Sequence, residues 1–377
     1  MRIGINALYL IPGGVGGTEI YLRNLLRALA GLKTRHEFFV FTALEAGSDA
    51  VPDDPCFHPQ VQRVRATSRP LRLMWEQVVL PAEARKLSLD CLLNCGFTAP
   101  AMQACPNVTV FHDLQHKRHP ENFRRLDLAA WKLFLWAAAR RSSMLIADSE
   151  ATKSDLVRYY SLPEDRVRVV PLGVEPEFHR IATDRGTPEP ILLCASTLHP
   201  HKNLERLITA FDEFSREAPE YRLVITGLRG FHTEPIEKLV GSIASRDRVL
   251  LTGWIPREEV YSYFRRATAF FYPSTFEGFG LPVVEAMAAG LPLACSAIEP
   301  LLSITGDAAL HFDPSDTPAI VAAMRRLSSD EAVRTQLKAA GSKRAQQFTW
   351  EACARGTLGA IEAAVSSTSA AGPRAGS

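Results

Sequence analysis

The sequence has few of the features that mark membrane, secreted or nucleic-acid-binding proteins. No stretch reaches the roughly 18 uninterrupted apolar residues that a membrane-spanning helix needs. The N-terminal residues lack a basic segment followed by an unbroken apolar run, so we expect no signal peptide. The formal net charge is only +2, with 43 lysines and arginines against 41 aspartates and glutamates, which does not favour nucleic-acid binding.

Cysteine is scarce as well, and its distribution argues against disulfides and zinc. The seven cysteines are odd in number and lie mostly in apolar runs, which is typical of reduced thiols in the core of a cytoplasmic protein. Cys91 and Cys95 lack a second pair or neighbouring histidines, so they do not predict a zinc site. We therefore expect a cytoplasmic protein without a structural metal.

What the sequence does contain is a repeated alternation of short apolar runs and amphipathic segments. At 377 residues it exceeds the size at which single cores usually stop growing, so two domains are expected. The alternation is typical of βαβ units, which form parallel sheets covered by helices. The sequence therefore predicts an α/β fold with two Rossmann-like, doubly wound domains that face a cleft.

A polar stretch with several prolines and glycines separates the two halves of this pattern. It runs from Pro171 to Pro190, and the apolar runs restart at Ile191. We predict that residues 1–185 form the first domain and residues 186–350 the second. Residues 351–365 are predicted to form a helix that packs back on the first domain, and residues 366–377 a disordered tail of small residues.

The most informative segment follows the apolar run that ends at Tyr272. A glycine-containing turn leads to Pro282, which suits the first position of a helix. Free backbone amides at a helix start, together with the helix dipole, favour an anion such as phosphate. Glu277 precedes this helix and Glu285 lies within it, and a carboxylate can accept two hydroxyls of a sugar or ribose. The residues alone also allow an ordinary connection with one capping and one solvated glutamate.

The segment Glu277-Gly-Phe-Gly-Leu-Pro-Val-Val-Glu285 resembles the signature of the retaining GT-B-fold glycosyltransferases of the group 1 or family 4 type. The resemblance extends roughly from Arg2 to Ala364 and is nearest to bacterial mannosyltransferase-like members. It implies that Glu285 binds the ribose diol of a nucleotide and that Glu277 reaches hydroxyls of the donor sugar. It also implies that amides of three residues meet the sugar and phosphate, namely Phe279, Gly280 and Leu281.

A departing diphosphate needs positive charge nearby. Lys202 follows the predicted strand 191–195 and precedes a helix, where a lysine is either a phosphate ligand or a solvated loop residue. The resemblance assigns it to the diphosphate and makes neighbouring Thr197 part of the donor site. Many relatives carry an arginine where this chain has Thr197 or His201, so diphosphate binding should depend more on Lys202 and the helix amides.

Two motifs of the first half follow predicted strands. The glycine cluster 13–17 lacks the Gly-x-Gly-x-x-Gly spacing, so by itself it is a flexible turn or a close approach to a ligand. The resemblance implies that Gly16 and Gly17 approach the donor diphosphate. His112 ends another apolar run, where a lone histidine is more often structural. The resemblance implies that His112 faces the donor sugar, and it makes His112, Glu277 and Lys202 the catalytic candidates; it also matches Asp148 to a residue that lines the cleft.

Two further regions leave alternatives open. Trp254 and Ile255 follow a predicted strand in the region where relatives contact the nucleobase, but Trp254 could equally pack in the core. Residues 117–141 contain seven basic and two acidic residues interleaved with aromatic ones. This segment is either a peripheral contact with the inner face of a membrane or an ordinary helix packed on the sheet.

The sequence thus predicts a retaining, metal-independent glycosyltransferase without a cofactor, in which a nucleotide-sugar is the substrate. The preferred reaction moves mannose from GDP-mannose to a glycan or polyprenyl-linked acceptor in surface polysaccharide synthesis. The alternatives are a sugar-nucleotide 2-epimerase on the same fold and a non-catalytic subunit that binds nucleotide-sugar. No nucleic-acid partner is expected.

Overall fold

The computed structural model describes residues 1–14, 16–123, 125–230 and 232–370. The chain divides into two compact domains. The first comprises Met1–Gly173 together with the helix that begins at Trp350, and the second comprises Val174–Thr349.

In the described part of the first domain, seven parallel strands form a sheet in the order β3-β2-β1-β4-β5-β6-β7. The strands are β1 (Arg2–Ala7), β2 (Glu37–Thr42), β3 (Phe57–Val61), β4 (Cys91–Asn94), β5 (Asn107–Phe111), β6 (Met144–Ala147) and β7 (Val167–Val169). The helices that connect them are α1 (Gly17–Gly31), α2 (Arg69–Lys86), α3 (Gln115–Arg118), α4 (Arg125–Arg141) and α5 (Glu150–Tyr160).

The second domain repeats this architecture with a parallel sheet in the order β10-β9-β8-β11-β12-β13. Its strands are β8 (Ile191–Ala195), β9 (Arg222–Thr226), β10 (Val249–Gly253), β11 (Ala269–Tyr272), β12 (Leu293–Ser296) and β13 (Leu310–Phe312). Its helices are α6 (Pro176–Thr183), α7 (Leu204–Phe214), α8 (Thr233–Ser242), α9 (Arg257–Arg266), α10 (Leu281–Ala288), α11 (Leu301–Thr305), α12 (Thr317–Ser329) and α13 (Glu331–Ala345). The last helix, α14 (Trp350–Ala370), belongs to the first domain.

Apolar strands covered on both faces hold each domain together. The central strands are fully buried, as in Ile3 and Ile5 of β1 and Phe270 of β11. Amphipathic helices cover these sheets; α7, for example, places Leu207 and Phe211 in the core of the second domain. Continuous apolar runs are what a parallel sheet with two covered faces requires. The predicted pair of doubly wound α/β domains is confirmed.

The domain boundary lies between Gly173 and Val174, earlier than the predicted position after residue 185. Residues 174–185 belong to the second domain because α6 packs there. Phe178 of α6 is fully buried, and its ring contacts those of Tyr261 and Phe264 at centroid distances of 5.2 and 4.9 Å. A proline-rich segment therefore marked the general region of the boundary but not its position.

The C-terminal helix packs on the first domain. Helix α14 contacts α1 and the strands β4, β5 and β6, and its first residue, Trp350, lies against Tyr21 with ring centroids 6.2 Å apart. The helix extends to Ala370, so residues 366–370 of the predicted tail are helical. The rest of that predicted disordered tail, 371–377, lies outside the described residues.

Two expectations from composition concern cysteines and membrane spans. All seven cysteines are free, and five of them are buried. Among the helices that the structure describes, none is long and apolar enough to cross a membrane.

The loops after β8 and β9 approach each other so closely that only glycine fits at position 227. Gly227 has a φ of +146°, and a Cβ there would lie 2.1 Å from the carbonyl oxygen of Ser196. We expect Gly227→Ala to destabilise the protein by about 2–4 kcal/mol, because the backbone near the Lys202 loop must shift. Urea unfolding followed by circular dichroism measures this effect. Gly241→Ala is the matched control, since a Cβ in that turn of α8 meets nothing within 4 Å; equal losses in the two variants would contradict the steric argument.

Candidate functional site

Two neighbouring strands of the second sheet bring Lys202 and Glu277 together. Lys202 follows β8 and Glu277 follows β11, and these strands lie side by side. The ammonium group of Lys202 donates to Glu277 Oε1 over 2.5 Å and to Tyr272 Oη over 3.0 Å. The Lys202 and Glu277 side chains are only 15% and 10% exposed. The pair therefore lies at the carboxyl edge of a parallel sheet, where such folds bind ligands.

Hydrogen bonds between the two loops fix this pair. Asn203 adopts a left-handed conformation with φ +54°, and its Nδ2 donates to the carbonyl oxygens of Pro273 (3.0 Å) and Pro314 (2.8 Å). The amide of Thr275 donates to the carbonyl of His201 over 2.8 Å. The positions of Lys202 and Glu277 thus follow from the backbone and not only from their mutual attraction.

Helix α10 begins beside this pair and presents free amides. It starts at Leu281, so Pro282 is its second residue and not the predicted first. Gly280 caps the helix with φ +96°, and a Cβ there would lie 2.5 Å from Leu301 Cδ2, so a larger residue would adopt a strained backbone and displace the Leu301 side chain. No described residue accepts a hydrogen bond from the amides of Phe279, Gly280 or Leu281. These amides and the positive end of the helix dipole are available to an anion.

Glu285 lies farther along α10 and belongs to a separate charged cluster. It is 4% exposed and forms no hydrogen bond or ion pair with Lys202 or Glu277. Instead Arg257 Nη2 donates to Glu285 Oε1 and also to Glu175 Oε2. Burial raises the pKa of Glu285 against the opposing effect of Arg257, while the two carboxylates raise the pKa of Arg257 despite its burial. One guanidinium thus binds two carboxylates, the buried Glu285 and the partly exposed Glu175.

His112 of the first domain is paired with Asp148. His112 follows β5 and Asp148 follows the adjacent β6, and His112 Nδ1 lies 2.7 Å from Asp148 Oδ2. The other ring nitrogen, Nε2, lies 3.3 Å from the carbonyl oxygen of Cys95. Burial alone would lower the pKa of His112, but the carboxylate of Asp148 raises it above its usual value. Because both nitrogens face acceptors, the cationic imidazole satisfies both contacts.

The remaining residues that were predicted to bind the nucleotide-sugar donor lie in loops and at helix starts. Gly16 precedes α1 with φ +58°, Gly17 is the first residue of that helix, and Val15 between the glycines lies outside the described residues. Thr197 lies in the loop before Lys202, where its carbonyl accepts from the His199 amide over 2.9 Å. The roles assigned to these residues, and to His112, stay predictions.

The structure excludes core packing, one of the two predicted alternatives for Trp254. This side chain is 61% exposed, next to the half-buried Ile255, in the loop after β10. An exposed indole can stack on a flat ring. A base-binding role for Trp254 and Ile255 stays a prediction.

Three pairings that shape the site could not be predicted from the sequence: His112 with Asp148, Arg257 with Glu175, and Arg257 with Glu285. Arg257 and Glu175 had no assigned role, and Asp148 was expected to line a cleft and not to hold His112. Asp148 is 36 residues from His112, and Arg257 is 82 residues from Glu175 and 28 from Glu285, so no local sequence pattern connects these partners. A search for polar residues just after each predicted strand would have found Asp148. Among the described residues, no group of three or more His, Cys, Asp or Glu could hold a metal ion.

We expect Asp148→Asn to lower the pKa of His112. In the wild type this pKa lies above its usual value of about 6.5 because the carboxylate favours the charged ring. The contribution of the pair to stability is therefore present at low pH and is lost as pH rises through the raised pKa. In the variant, burial remains while the nearest negative charge is removed, so the pKa of His112 should fall below its wild-type value. NMR titration of the imidazole resonances measures both values; an unchanged pKa would contradict this account of the pair.

Known proteins resemble this chain along most of its length. The model of the family "Glycosyltransferase Family 4" matches residues 15–178, and that of "Glycosyl transferases group 1" matches residues 176–344. The O-antigen chain mannosyltransferase B of Escherichia coli is 29% identical over 267 residues, which cover 68% of this chain and 70% of that protein. The MMP alpha-(1->4)-mannosyltransferase of Mycolicibacterium hassiacum is 28% identical over 291 residues, 74% of this chain and 70% of that one.

Other matches are partial or concern the fold alone. The serotype-specific mannosyltransferase WbdA of Escherichia coli is 28% identical over 57% of this chain, but the match spans only 28% of that protein. Among solved structures, sucrose-phosphate synthase from Thermosynechococcus elongatus has a TM-score of 0.78 at 22% identity and covers 98% of this chain and all of that chain. HepE from Anabaena, in complex with UDP and glucose, has a TM-score of 0.69 at 16% identity, with 98% and 99% of the two chains covered.

The two family models together extend from residue 15 to residue 344, and the structural neighbours share both domains. The predicted family and fold are therefore confirmed. The chain belongs to the GT-B-fold glycosyltransferases of group 1 and family 4 and is related to bacterial mannosyltransferases.

Proposed function

We propose that this protein is a retaining, metal-independent glycosyltransferase that moves mannose from GDP-mannose to a glycan or polyprenyl-linked saccharide. The names of the E. coli and M. hassiacum relatives support mannose as the sugar and a polysaccharide as the product. The reaction is proposed to take place in the cytoplasm as a step of surface polysaccharide synthesis. The observation that carries this proposal is the Lys202–Glu277 pair beside the free amides of α10.

In this proposal the diphosphate of the donor is bound by Lys202 and the start of α10. The ammonium group has three protons, and two of them are used by Glu277 and Tyr272. The third is free for a phosphate oxygen, and the amides of Phe279, Gly280 and Leu281 supply further donors. Fixed donors of this kind stabilise negative charge as it develops on a leaving group, which is where most of the catalysis is expected.

Glu277 is proposed to orient the donor sugar. An ionised carboxylate accepts several hydrogen bonds, so Glu277 can receive sugar hydroxyls while it keeps Lys202. Its contact with Lys202 supports neighbouring positions for the sugar and the phosphate of a hexose phosphate. Glu277 is thus assigned to positioning the sugar, and the leaving diphosphate is assigned the proton of the acceptor hydroxyl.

The first domain offers a surface suited to an anionic membrane. Helix α2 carries three large apolar residues on its solvent face, and α4 carries two; each is at least half exposed, and together we name them the exposed apolar face: Leu71, Met74, Val78, Leu133 and Trp136. The two helices are adjacent, because the Arg69 guanidinium of α2 lies 4.3 Å from the ring of Trp131 of α4. Both helices have two basic residues in their last turn.

We propose that the exposed apolar face binds the anionic inner face of a membrane, where a polyprenyl-linked acceptor would be found. Apolar side chains can enter the acyl boundary while the basic residues meet anionic headgroups. This assigns membrane contact to α2 as well as to the predicted segment 117–141.

The central experiment measures nucleotide release from GDP-mannose with and without an added mannan-type acceptor. We expect release to require the acceptor and the product linkage to be α, which NMR of the anomeric proton reports. Lys202→Ala should lower kcat/KM by about 100-fold, because it removes a donor to the leaving group. The same substitution should also weaken the binding of GDP more than the binding of GMP. Lys238→Ala, an exposed lysine of α8, is the matched control and should behave like the wild type.

Other outcomes identify other functions. No thermal stabilisation by GDP, UDP or ADP would contradict nucleotide-sugar binding altogether. Turnover without an acceptor would favour an epimerase, and binding without turnover a non-catalytic subunit. A β-linked product would contradict retention, and loss of activity in a chelator would contradict metal independence.

Vesicle sedimentation tests the membrane contact. We expect the protein to bind vesicles that contain phosphatidylglycerol and not vesicles of phosphatidylcholine alone, with binding weakened by salt. Replacing Leu133 and Trp136 by serine, or Met74 and Val78 by serine, should reduce binding about tenfold because apolar burial is lost. Leu250→Ser removes an exposed apolar residue of the second domain and is the control. Full binding by both double variants would overturn the proposal.

A further inference from the structure

The geometry of Arg257 is not explained by the stability of its own helix. Arg257 is the first residue of α9, and a positive charge at that end opposes the helix dipole. Its Nε donates to Glu175 Oε2 over 2.8 Å, and its Nη2 donates to the carboxylates of both Glu175 and Glu285. Arg257 therefore joins two carboxylates from other parts of the second domain, one just before α6 and one within α10.

Two aromatic rings hold the guanidinium in place. The rings of Phe178 and Tyr261 lie 5.0 and 5.3 Å from the guanidinium carbon. A planar group held by aromatic faces and by two carboxylates keeps its hydrogen atoms in fixed directions. The position of Glu285 Oε1 is set by this arrangement.

Glu285 depends on Arg257 for its charge and orientation. Among the described residues, Arg257 is the one donor to this carboxylate, and Glu285 Oε2 accepts no hydrogen bond. A buried carboxylate without a partner becomes protonated, and burial already raises the pKa of Glu285. A protonated carboxyl group would lose acceptor capacity, whereas an ionised one can accept two hydroxyls.

We propose that Arg257 is a positioning residue for nucleotide recognition, which orients the Glu285 carboxylate so that its unused lone pairs accept the ribose hydroxyls. This inference rests on the proposed function, because it takes a nucleotide-sugar as the donor and Glu285 as the ribose-binding residue that the family resemblance implies. Arg257 acts through Glu285 and needs no contact with the nucleotide. Glu175 shares the guanidinium, so loss of the Glu175 charge leaves the Arg257–Glu285 pair in place.

The experiment compares two ligands that differ by one ribose hydroxyl. Calorimetry measures the affinity of the wild type for the best-binding nucleoside diphosphate among GDP, UDP and ADP and for its 2′-deoxy counterpart. We expect the wild type to prefer the ribonucleotide by roughly tenfold, since a hydrogen bond to a charged group is lost in the other. Arg257→Gln should weaken the ribonucleotide more than the deoxynucleotide, so that the preference falls to about twofold or less.

Two further variants separate positioning from a general structural role. Arg257→Lys keeps the charge but not the fork of donors, so its preference should lie between those of the wild type and Arg257→Gln. Glu175→Gln removes a charge from the same cluster and should keep the wild-type preference. Because Arg257→Lys disturbs the cluster least, it tests the inference even where Arg257→Gln does not fold.

The outcomes distinguish this inference from the proposed function. If Arg257→Gln weakens the binding of both nucleotides equally and so keeps the preference, the positioning role alone would be overturned. A wild-type preference in Arg257→Lys would have the same consequence. Loss of the preference in Glu175→Gln would overturn it as well. If the wild type shows no preference for the ribonucleotide, the assignment of Glu285 to the ribose would be contradicted. If the wild type binds no nucleoside diphosphate, the proposed function itself would be contradicted.

Discussion

The ion pair between Lys202 and Glu277 links the ends of two adjacent parallel strands, and the candidate donor site is arranged around it. A buried ion is tolerated when an opposite charge and hydrogen bonds meet it. Lys202 satisfies this condition with Glu277 and Tyr272, and the pair still retains donors and acceptors for a ligand. The hydrogen bonds that satisfy this pair thus leave donors and acceptors that suit a sugar phosphate.

The backbone around this pair has little freedom. Gly227 and Gly280 lie where a Cβ would collide with neighbouring atoms, and Asn203 joins the Lys202 loop to two other loops. These contacts bring the ends of β8, β9, β11 and β13 together with the start of α10. Preorganisation of this kind matters because donors act on a leaving group most strongly when they do not have to move.

The same constraint on buried charge recurs at Glu285 and His112. Each has a charged partner: Arg257, which Glu175 shares, for Glu285, and Asp148 for His112. In both cases the partner changes the pKa in the direction that favours the charged form. Arg257 thus favours the ionised form of Glu285 within α10, and Asp148 favours the cationic form of His112 after β5, whereas burial of each group favours its neutral form.

Much of the fold could be predicted because the strands and helices of a parallel sheet have recognisable local sequence patterns. The strands with continuous apolar runs and the helices with amphipathic spacing were expected, and the structure contains them. The edge strand β3 was not, since the segment 51–73 carries no pattern and Pro59 interrupts it; proline is tolerated at a sheet edge, where one side of the strand has no partner. Helix α6 lies within the proline-bearing stretch 171–190 and still packs in the second domain, because Phe178 is buried there.

The sequence by itself determined the fold class, the family and the segment Glu277–Glu285, because helix starts, glycine turns and closely spaced glutamates are local features. Only the tertiary structure decided which charges meet. Lys202 and Glu277 are 75 residues apart, and Arg257 and Glu175 are 82 apart, so their pairing depends on strand order and helix packing. Tertiary packing likewise decided that Trp254 is exposed, that Asp148 binds His112 and that Arg257 binds Glu285. A side chain's electrostatic surroundings are set by neighbours in space, and in a doubly wound sheet those neighbours come from distant parts of the chain.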